Sequence, residues 1–236
     1  MINDLSHYRT SYEKGALHLN EVPESPITLF KTWFDEVDKQ NPNETNAMTL
    51  STLGVDGFPK SRVVLLKAYN REGFIFYTNY NSHKGIAIEA NPNVCLSFFW
   101  HTFERQVIIK GIAKRTSEEV SDSYFKTRPR GSQLGALASD QSAIIPDRLY
   151  LEKKLNDLDK QYANTNIERP RYWGGYLVAP VEMEFWQGRP NRLHDRICYK
   201  KRNENQWIIN RLSPYMVLLK KLPIKTFFSY IFVLKI

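Results

Sequence analysis

The chain has 236 residues, 42% of them hydrophobic and 13% aromatic, which is enough to bury the core of one large domain. Its formal net charge of +8 suits small phosphorylated partners. No basic block dominates and zinc-finger and P-loop spacings are lacking, so neither nucleic acid nor a bound metal is predicted. Two cysteines, Cys95 and Cys198, are too few for a disulfide framework and favour a cytoplasmic protein.

Residues 1–24 are polar and have no apolar stretch of the kind found in a secretory signal. We predict that they form a flexible N-terminal segment. A helix is predicted from Ser25-Pro26 to about Asn41, because apolar residues recur there at helical spacing and form one stripe facing the core. These residues are Leu29, Phe30, Trp33, Phe34 and Val37.

A β-rich block follows this helix. Strands are predicted over Met48–Leu53, Ser61–Tyr69, Phe74–Thr78, Val94–Trp100 and Gln106–Lys114. Arg62 and Lys67 lie five apart on one predicted strand, so they should face opposite sides of it. Lys84 begins a helix whose free N–H groups, together with its own ammonium group, suit a phosphate. Solvated strand charges are the alternative interpretation for Arg62 and Lys67.

A helical region is predicted next. Thr116 with Glu119 has the pattern of a capping box before a helix over Ser117–Thr127. Tyr124, Arg128 and Ser132 follow at spacings of four and supply one guanidinium and two hydroxyls, a mixture that recognises phosphate. An ordinary helix end is the alternative. A charged helix is predicted over Pro146–Gln161, with its leucines inward: Leu149, Leu155 and Leu158.

The last strands are predicted over Trp173–Pro180, Val181–Gln187, Asp195–Lys200 and Gln206–Arg211. Between the second and third of these strands, Gly188 and Pro190 predict a turn. Arg192 and His194 are two apart and are predicted on a strand, with both side chains on one face and Leu193 turned into the core. Arginines and a histidine beside Trp186 suit a flat anionic ligand, whereas a hairpin with solvated charges is the alternative.

The stretch Glu184-Phe185-Trp186-Gln187, followed after four residues by Arg192-Leu193-His194-Asp195-Arg196, resembles the signature of the pyridoxine/pyridoxamine 5'-phosphate oxidases. The similarity extends over most of the chain. The resemblance implies a mainly β fold with α (α+β): an FMN-binding split β-barrel with flanking helices over residues 25–214. It also implies a homodimer with FMN at the subunit interface.

The activity implied by this resemblance is the oxidation of pyridoxamine 5'-phosphate and pyridoxine 5'-phosphate by O2. The products are pyridoxal 5'-phosphate and H2O2, with ammonia also released from the amine. FMN supplies the redox chemistry and the protein positions the two rings.

The same resemblance assigns residues to the cofactor and to the substrate. Those implied for FMN are Arg62, Val63, Val64, Leu65, Leu66, Lys67, Tyr77, Thr78, His83, Lys84, Gln106, Gln141, Ser142, Trp186 and Arg196. Those implied for the substrate are Arg9 and Tyr12 in a lid, Lys67, Tyr124, Arg128, Ser132, Arg192, Leu193 and His194. Arg192 and His194 are the catalytic candidates. The family usually has arginine where this chain has His83, so FMN is predicted to bind either less tightly or with a stronger dependence on pH.

Two alternatives remain on the same barrel: a non-catalytic protein that binds flavin or pyridoxal phosphate, and a reductase with another substrate. A reductase should differ at Tyr124, Arg128 and Ser132. Residues 215–236 are predicted to be an atypical C-terminal extension. Its lysines and Pro223 argue against a transmembrane helix, which leaves a basic amphipathic surface segment or read-through of an ancestral stop. No membrane association is expected.

Overall fold

The computed structural model describes residues 2–40, 42–43, 45–163, 165–204 and 206–214. The helices are α1 (Pro26–Gln40), α2 (His83–Ala90), α3 (Glu118–Thr127), α4 (Arg130–Ala138) and α5 (Arg148–Gln161). The strands are β1 (Ala47–Leu53), β2 (Pro59–Leu65), β3 (Ala68–Tyr69), β4 (Phe74–Asn79), β5 (Asn93–Trp100), β6 (Arg105–Arg115), β7 (Trp173–Gln187), β8 (Asp195–Asn203) and β9 (Gln206–Arg211). The predicted extension over residues 215–236 lies outside the described residues.

All nine strands belong to one antiparallel sheet in the order β2-β1-β5-β6-β7-β4-β3, with β8 and β9 added beside β7. The sheet curls into a split barrel with helices around it, as the sequence predicts. No helix in the described part of the chain is both long and apolar enough to cross a membrane.

Strand β7 is the longest strand and organises the sheet. One of its edges pairs with β6 along nearly the whole strand. The other edge pairs with β4 over its first half and with β8 over its second half. The pairing with β6 shifts register between Lys110 and Gly111. A side chain at Gly111 would come within 2.7 Å of the Ala179 carbonyl oxygen, so this bulge requires glycine.

The main core lies between helix α1 and the inner face of the sheet. The predicted apolar stripe of α1 is confirmed, because Leu29, Phe30, Trp33 and Val37 are all buried. A smaller core lies beneath α3, α4 and the start of β7. It contains Phe125, Leu134, Ala136, Ile167 and Trp173. This second core supports the start of β7, where Tyr124 of α3 stacks on Tyr77 of β4.

Two predictions about the strands were wrong. β2 ends at Leu65, and Lys67 lies between β2 and β3, so Arg62 and Lys67 do not share a strand. The two strands predicted on either side of Pro180 are one strand, because the register shift accommodates the proline without ending the ladder.

Two predictions about the helices were also wrong. Helix α3 is capped by Ser117, whose hydroxyl accepts from the Val120 N–H, whereas the Thr116 hydroxyl bonds with Ser121. In α5, Leu149 is 70% exposed, and Leu155 is exposed as well. Only Leu158 of the three leucines packs against the smaller core, because a helix on the surface of one chain needs only a narrow inward stripe.

Two glycines give matched tests of this packing. Gly111→Ala should destabilise the fold by about 1–3 kcal/mol, because the new methyl group overpacks the β6–β7 bulge. Gly135→Ala, in α4, has open space around the new methyl group and should stabilise by roughly 0.5–1 kcal/mol through helix propensity. Thermal unfolding of the two variants measures both effects. Equal shifts of the midpoint would contradict the steric role of Gly111.

Candidate active site

One group of polar side chains lies where β4 leads into α2, and we call it the β4–α2 cluster (Thr78, His83, Lys84, Gln141 and Ser142, with Arg62 beside it). Ser82 caps α2 by accepting from the Gly85 N–H. Lys84 is buried, and its Nζ donates to Thr78 Oγ1 and Ser82 Oγ, each at 3.1 Å. Both partners are neutral hydroxyls.

The charge of Lys84 is therefore uncompensated. Burial, and secondly the nearby Arg62, lower the pKa of Lys84 to about 8. Arg62 is half-buried and donates through Nη1 to the Leu50 carbonyl at 3.1 Å and to Thr52 Oγ1 at 2.8 Å. Among the described residues, neither cation forms a salt bridge with a carboxylate. Two neighbouring cations at a helix N-terminus form a site suited to a phosphate.

The loop after α4 forms the far wall of this cluster. Gln141 Oε1 lies 3.5 Å from Thr78 Oγ1, and the Ser142 hydroxyl accepts from the His83 N–H at 3.2 Å. Ser142 has a positive φ of 79°, which turns its side chain towards α2. A cavity of about 340 Å³ lies between the loop and α2. The structure thus brings together the five cluster residues from two separate stretches of sequence, 78–84 and 141–142.

The predicted phosphate set from the α3–α4 corner lies next to this cluster. Arg128 caps the C-terminus of α3 and lies over the Trp173 ring, with Cζ 4.5 Å from the ring centroid. Its Nη1 is buried and has no hydrogen-bond partner, and burial lowers the pKa of Arg128. Tyr124 stacks on Tyr77 at 3.8 Å between centroids. A cavity of about 370 Å³ is lined by Tyr77, Thr78, Arg128, Ser132 and Gln141.

An orphaned guanidinium nitrogen beside this cavity is costly unless an anion binds there. Apart from Lys67, the residues predicted for two phosphates, one from a flavin and one from a substrate, lie in neighbouring parts of one region. Within the described residues, no three metal-ligating side chains come together.

A second group lies at the far end of β7, and we call it the β7–β8 cluster (Trp186, Arg192, His194 and Arg196, with Tyr12 over it). The prediction that Arg192 and His194 lie on a strand was wrong. Pro190–Arg192 form a short 3-10 turn in which Asn191 and Arg192 have positive φ, and β8 begins only at Asp195. Leu193 is 59% exposed rather than turned into the core, because the turn rotates it out of the strand alternation.

The turn nevertheless brings His194 against Trp186, with ring centroids 4.7 Å apart. The Arg189 N–H donates to His194 Nδ1 at 3.1 Å, which leaves the ring proton on Nε2. Burial and the Arg192 charge lower the pKa of His194, with Asp195 acting weakly in the other direction. His194 is therefore a neutral imidazole near neutral pH, with an Nε2–H donor available to a ligand.

The two remaining predicted residues at this end have partners within the chain. Arg196 forms a two-point ion pair with Glu184, at 2.7 and 3.1 Å. Gln106 lies opposite Trp186 on β6 and donates to the Ser97 hydroxyl at 3.3 Å. Arg192 is exposed. Its guanidinium is thus free to meet a ligand or a partner subunit.

The N-terminal segment crosses this cluster. Tyr12 meets Trp186 edge-on at 5.7 Å and His194 at 5.8 Å. Glu104 accepts from the Lys14 N–H at 3.0 Å, and Asp195 accepts from the Leu17 N–H at 3.0 Å. Arg9 does not join the cluster and bonds only to the Ser6 carbonyl.

Several contacts of the N-terminal segment with this region were not predicted from the sequence. Arg211 bridges the Asp195 carboxylate and the Leu17 carbonyl. The sequence motifs assigned no ligand or structural role to Glu104, Arg189 or Asp195. Asp195 lies inside the signature, so its position next to His194 was the available signal.

The stretch over residues 63–67 is apolar except for Lys67. Val63 and Leu65 are exposed on the outer face of the sheet, Val64 is half-buried and Leu66 is buried. Lys67 is exposed and lines a separate cavity with Asn46 and Tyr69. Within one chain, Lys67 therefore lies apart from the cavity that contains Arg128.

The two clusters lie far apart along β7. Tyr77 pairs with Gly175 near the start of β7, whereas Trp186 lies eleven residues further on. At ~3.3 Å per residue, this separation is roughly 36 Å of strand. The chain thus carries two half-sites, one suited to phosphates and one suited to a flat ring.

A curled antiparallel barrel, a buried cationic site at a helix N-terminus and an aromatic–histidine cluster define the class of flavin-binding split barrels. Residues 34–162 match the family model described as pyridoxamine 5'-phosphate oxidase. Residues 173–214 match the model described as the pyridoxine 5'-phosphate oxidase C-terminal dimerisation region.

Curated relatives agree with these family models. The pyridoxine/pyridoxamine 5'-phosphate oxidase of Flavobacterium johnsoniae is 62% identical over 213 residues, covering 90% of this chain and all of the relative. Proteins of the same name from Flavobacterium psychrophilum and Leptospira biflexa are 59% and 49% identical, again over 90% of this chain and all of each relative. The chain belongs to the pyridoxine/pyridoxamine 5'-phosphate oxidase family.

Solved structures support the fold. PhzG from Burkholderia lata 383, in complex with tetrahydrophenazine-1-carboxylic acid, superposes with a TM-score of 0.79 at 29% identity, over 87% of this chain and all of PhzG. A pyridoxamine 5'-phosphate oxidase-related, FMN-binding protein from Nostoc punctiforme has a TM-score of 0.64 at 14% identity, over 82% of this chain. The latter likeness concerns the fold alone.

Lys84 gives a pH test of the β4–α2 cluster. A phosphate binds the ammonium form better, so affinity should be constant below the Lys84 pKa of about 8 and should fall above it. Between pH 7 and pH 9, the affinity for FMN should drop about tenfold, since the phosphate stays doubly charged in this range. Fluorescence titration with FMN at each pH measures this change in affinity.

Lys84→Met is the informative variant: its affinity should be weaker at every pH, and the dependence between pH 7 and 9 should disappear. Lys31→Met, on the exposed face of α1, is the matched control and should keep the wild-type profile. A profile for Lys84→Met that still falls above pH 8 would assign the titration to another group.

Proposed function

We propose that the chain catalyses the FMN-dependent oxidation of pyridoxamine 5'-phosphate and pyridoxine 5'-phosphate by O2. The products are pyridoxal 5'-phosphate and H2O2, with ammonia from the amine. The observation that carries the proposal is a pair of uncompensated cations in one region: the buried Lys84, bonded to Thr78, and the half-buried Arg128, which lines a cavity together with Thr78. The enzyme needs two phosphate sites, one for its cofactor and one for its substrate, and the identity of 62% with an oxidase of this name supports the same activity.

The β4–α2 cluster is assigned to the FMN phosphate. Lys84 and Arg62 supply charge, while the first turn of α2 supplies N–H groups. Thr78, Gln141 and Ser142 surround this site with groups that hydrogen-bond. His83, where relatives usually have arginine, is exposed at the rim of the cavity. The residues present therefore fit the cofactor.

Arg128 is assigned to the substrate phosphate. Arg128 lines a cavity that Ser132 also lines, and its buried Nη1 has no hydrogen-bond partner. Tyr124 flanks the cavity through the stacked Tyr77 ring. An arginine held flat on an indole keeps its guanidinium in one plane, which favours two-point binding of phosphate oxygens. We assign Lys67 to the same phosphate on the family resemblance alone.

The β7–β8 cluster is assigned to the two rings. Bound FMN would supply the redox chemistry here, as acceptor of a hydride from the substrate C4' and donor of electrons to O2. His194 donates from Nε2 to the substrate ring edge, and Arg192 holds a ring oxygen or phosphate nearby. Tyr12 closes over His194 and excludes water. Trp186 and Arg196 contact the flavin. Because Arg196 also pairs with Glu184, its guanidinium is shared between that carboxylate and the flavin.

A second copy of the chain completes the site. A ligand cannot touch both clusters of one chain across roughly 36 Å of β7. If two copies pack with their β7 strands antiparallel, the start of one strand meets the end of the other. The match of residues 173–214 to a dimerisation region supports this arrangement, since it spans β7 to β9.

The outer face of the sheet is suited to be that interface. It exposes Val63, Phe99 and Ile112, which are the kind of apolar side chains that a partner covers. Lys110 and Glu182 form an ion pair across the same face. Cys95 and Cys198 are unpaired thiols, which supports a cytoplasmic location for the dimer.

A direct assay tests the proposed activity. Purified protein should be yellow with bound FMN and should release H2O2 when pyridoxamine 5'-phosphate is added in air. Arg192→Ala should keep the FMN and the dimer but lose one to two powers of ten in kcat/KM, equivalent to about 1.4–2.8 kcal/mol of transition-state stabilisation. Arg202→Ala, an exposed arginine near the far end of β8, is the control and should leave kinetics unchanged.

The outcomes separate the assignments. Colourless Arg192→Ala protein would reassign Arg192 to the flavin. Wild-type kinetics in that variant would move the substrate away from the β7–β8 cluster. A yellow wild-type protein that releases no peroxide would support a non-catalytic flavin protein instead.

A further inference from the structure

Arg169 is a nearly buried arginine outside both clusters, with a side chain only 4% exposed. Its Nε donates to Asp122 Oδ1 at 2.6 Å, its Nη2 pairs with Glu118, and its Nη1 donates to the Trp173 carbonyl at 2.6 Å. Glu118 and Asp122 lie one turn apart on α3. One guanidinium therefore joins the first half of α3 to the first residue of β7.

Both elements joined by Arg169 support Arg128. Helix α3 ends at Arg128, and the Trp173 ring lies beneath the Arg128 guanidinium. Trp173 also packs on Phe125, with centroids 5.3 Å apart, and stacks parallel to Tyr77 at 5.6 Å. A shift of α3 against Trp173 would move Arg128 relative to the cavity it lines.

Arg169 also neutralises charge on α3, where Glu118 and Asp122 line a separate cavity with it. It pairs with both acidic side chains that α3 presents on this side, and the Arg128 Nη1 remains without a partner. Without Arg169, two unpaired carboxylates would remain on the helix that ends at Arg128. Their negative potential would oppose an incoming phosphate and attract the Arg128 guanidinium.

We propose that Arg169 is a positioning residue for the substrate phosphate: it fixes α3 against Trp173 and neutralises Glu118 and Asp122, so that Arg128 stays aimed into the cavity and available to phosphate. The proposal rests on the assignment of Arg128 to the substrate phosphate under the proposed function. Arg169 itself touches neither ligand and acts through Arg128.

The test compares Arg169→Gln, Arg128→Ala and the double variant, all saturated with FMN. Arg169→Gln should raise KM for pyridoxamine 5'-phosphate about tenfold, with kcat within about a factor of two, because misplacement of a binding group weakens capture of the substrate. The double variant should be no worse than Arg128→Ala alone, since Arg169 acts only through Arg128. Independent, multiplying effects on KM would overturn the proposal.

Charge rescue separates positioning from a merely structural role. Adding Asp122→Asn to Arg169→Gln removes one unpaired carboxylate and should recover part of the lost KM. Arg148→Gln, which breaks the exposed Arg148–Glu152 pair on α5, is the control and should leave KM unchanged. No rescue, or a loss confined to kcat, would overturn the proposal.

Two further outcomes are informative. If Arg169→Gln does not fold, Arg169→Lys keeps one cation beside Asp122 while losing the bond to the Trp173 carbonyl, and it should show a smaller rise in KM. A wild-type KM in folded Arg169→Lys would overturn the proposal. If Arg128→Ala itself leaves KM unchanged, the assignment of the substrate phosphate fails and the role of Arg169 fails with it, whereas peroxide release by the wild type would still support the activity.

Discussion

Strand β7 holds the molecule together and also keeps its two functional clusters apart. It pairs with β6 along one edge and with β4 and β8 along the other, so both ends of the strand are fixed by backbone hydrogen bonds. The two clusters lie near opposite ends of this strand. Under the proposed function, a phosphate site and a ring site come into contact when a second chain supplies the other end.

The phosphate end carries a cost in the free protein. Lys84 and Arg128 are cations held largely out of water without carboxylate partners, and burial lowers the pKa of both. Under the proposed assignments, anionic phosphates would remove that cost on binding, so ligands should stabilise the folded state according to their affinity. In contrast, Glu118 and Asp122 of α3 are paired with Arg169.

Much of this could be predicted from sequence, and the failures have physical causes. The α1 stripe and most strands follow from periodicity, and the family resemblance named residues that the structure brings together in the two clusters. Periodicity failed at Leu193, because positive φ values at Asn191 and Arg192 break the strand alternation. It also failed at Leu149, since helical spacing does not show which leucines find a neighbour. The contacts of Arg169 and Asp195 could not be predicted, because they join residues far apart in sequence.

The central claim is that each active site takes its phosphate end from one chain and its ring end from the other. Subunit mixing tests it most directly: Lys84→Met and Arg192→Ala, each poorly active alone, are unfolded, mixed in equal amounts and refolded together with FMN. Random pairing makes half of the dimers hybrid, and each hybrid contains one intact site, so peroxide release should recover to about a quarter of the wild-type rate. Activity no higher than the mean of the two separate variants would show that each site is built within a single chain.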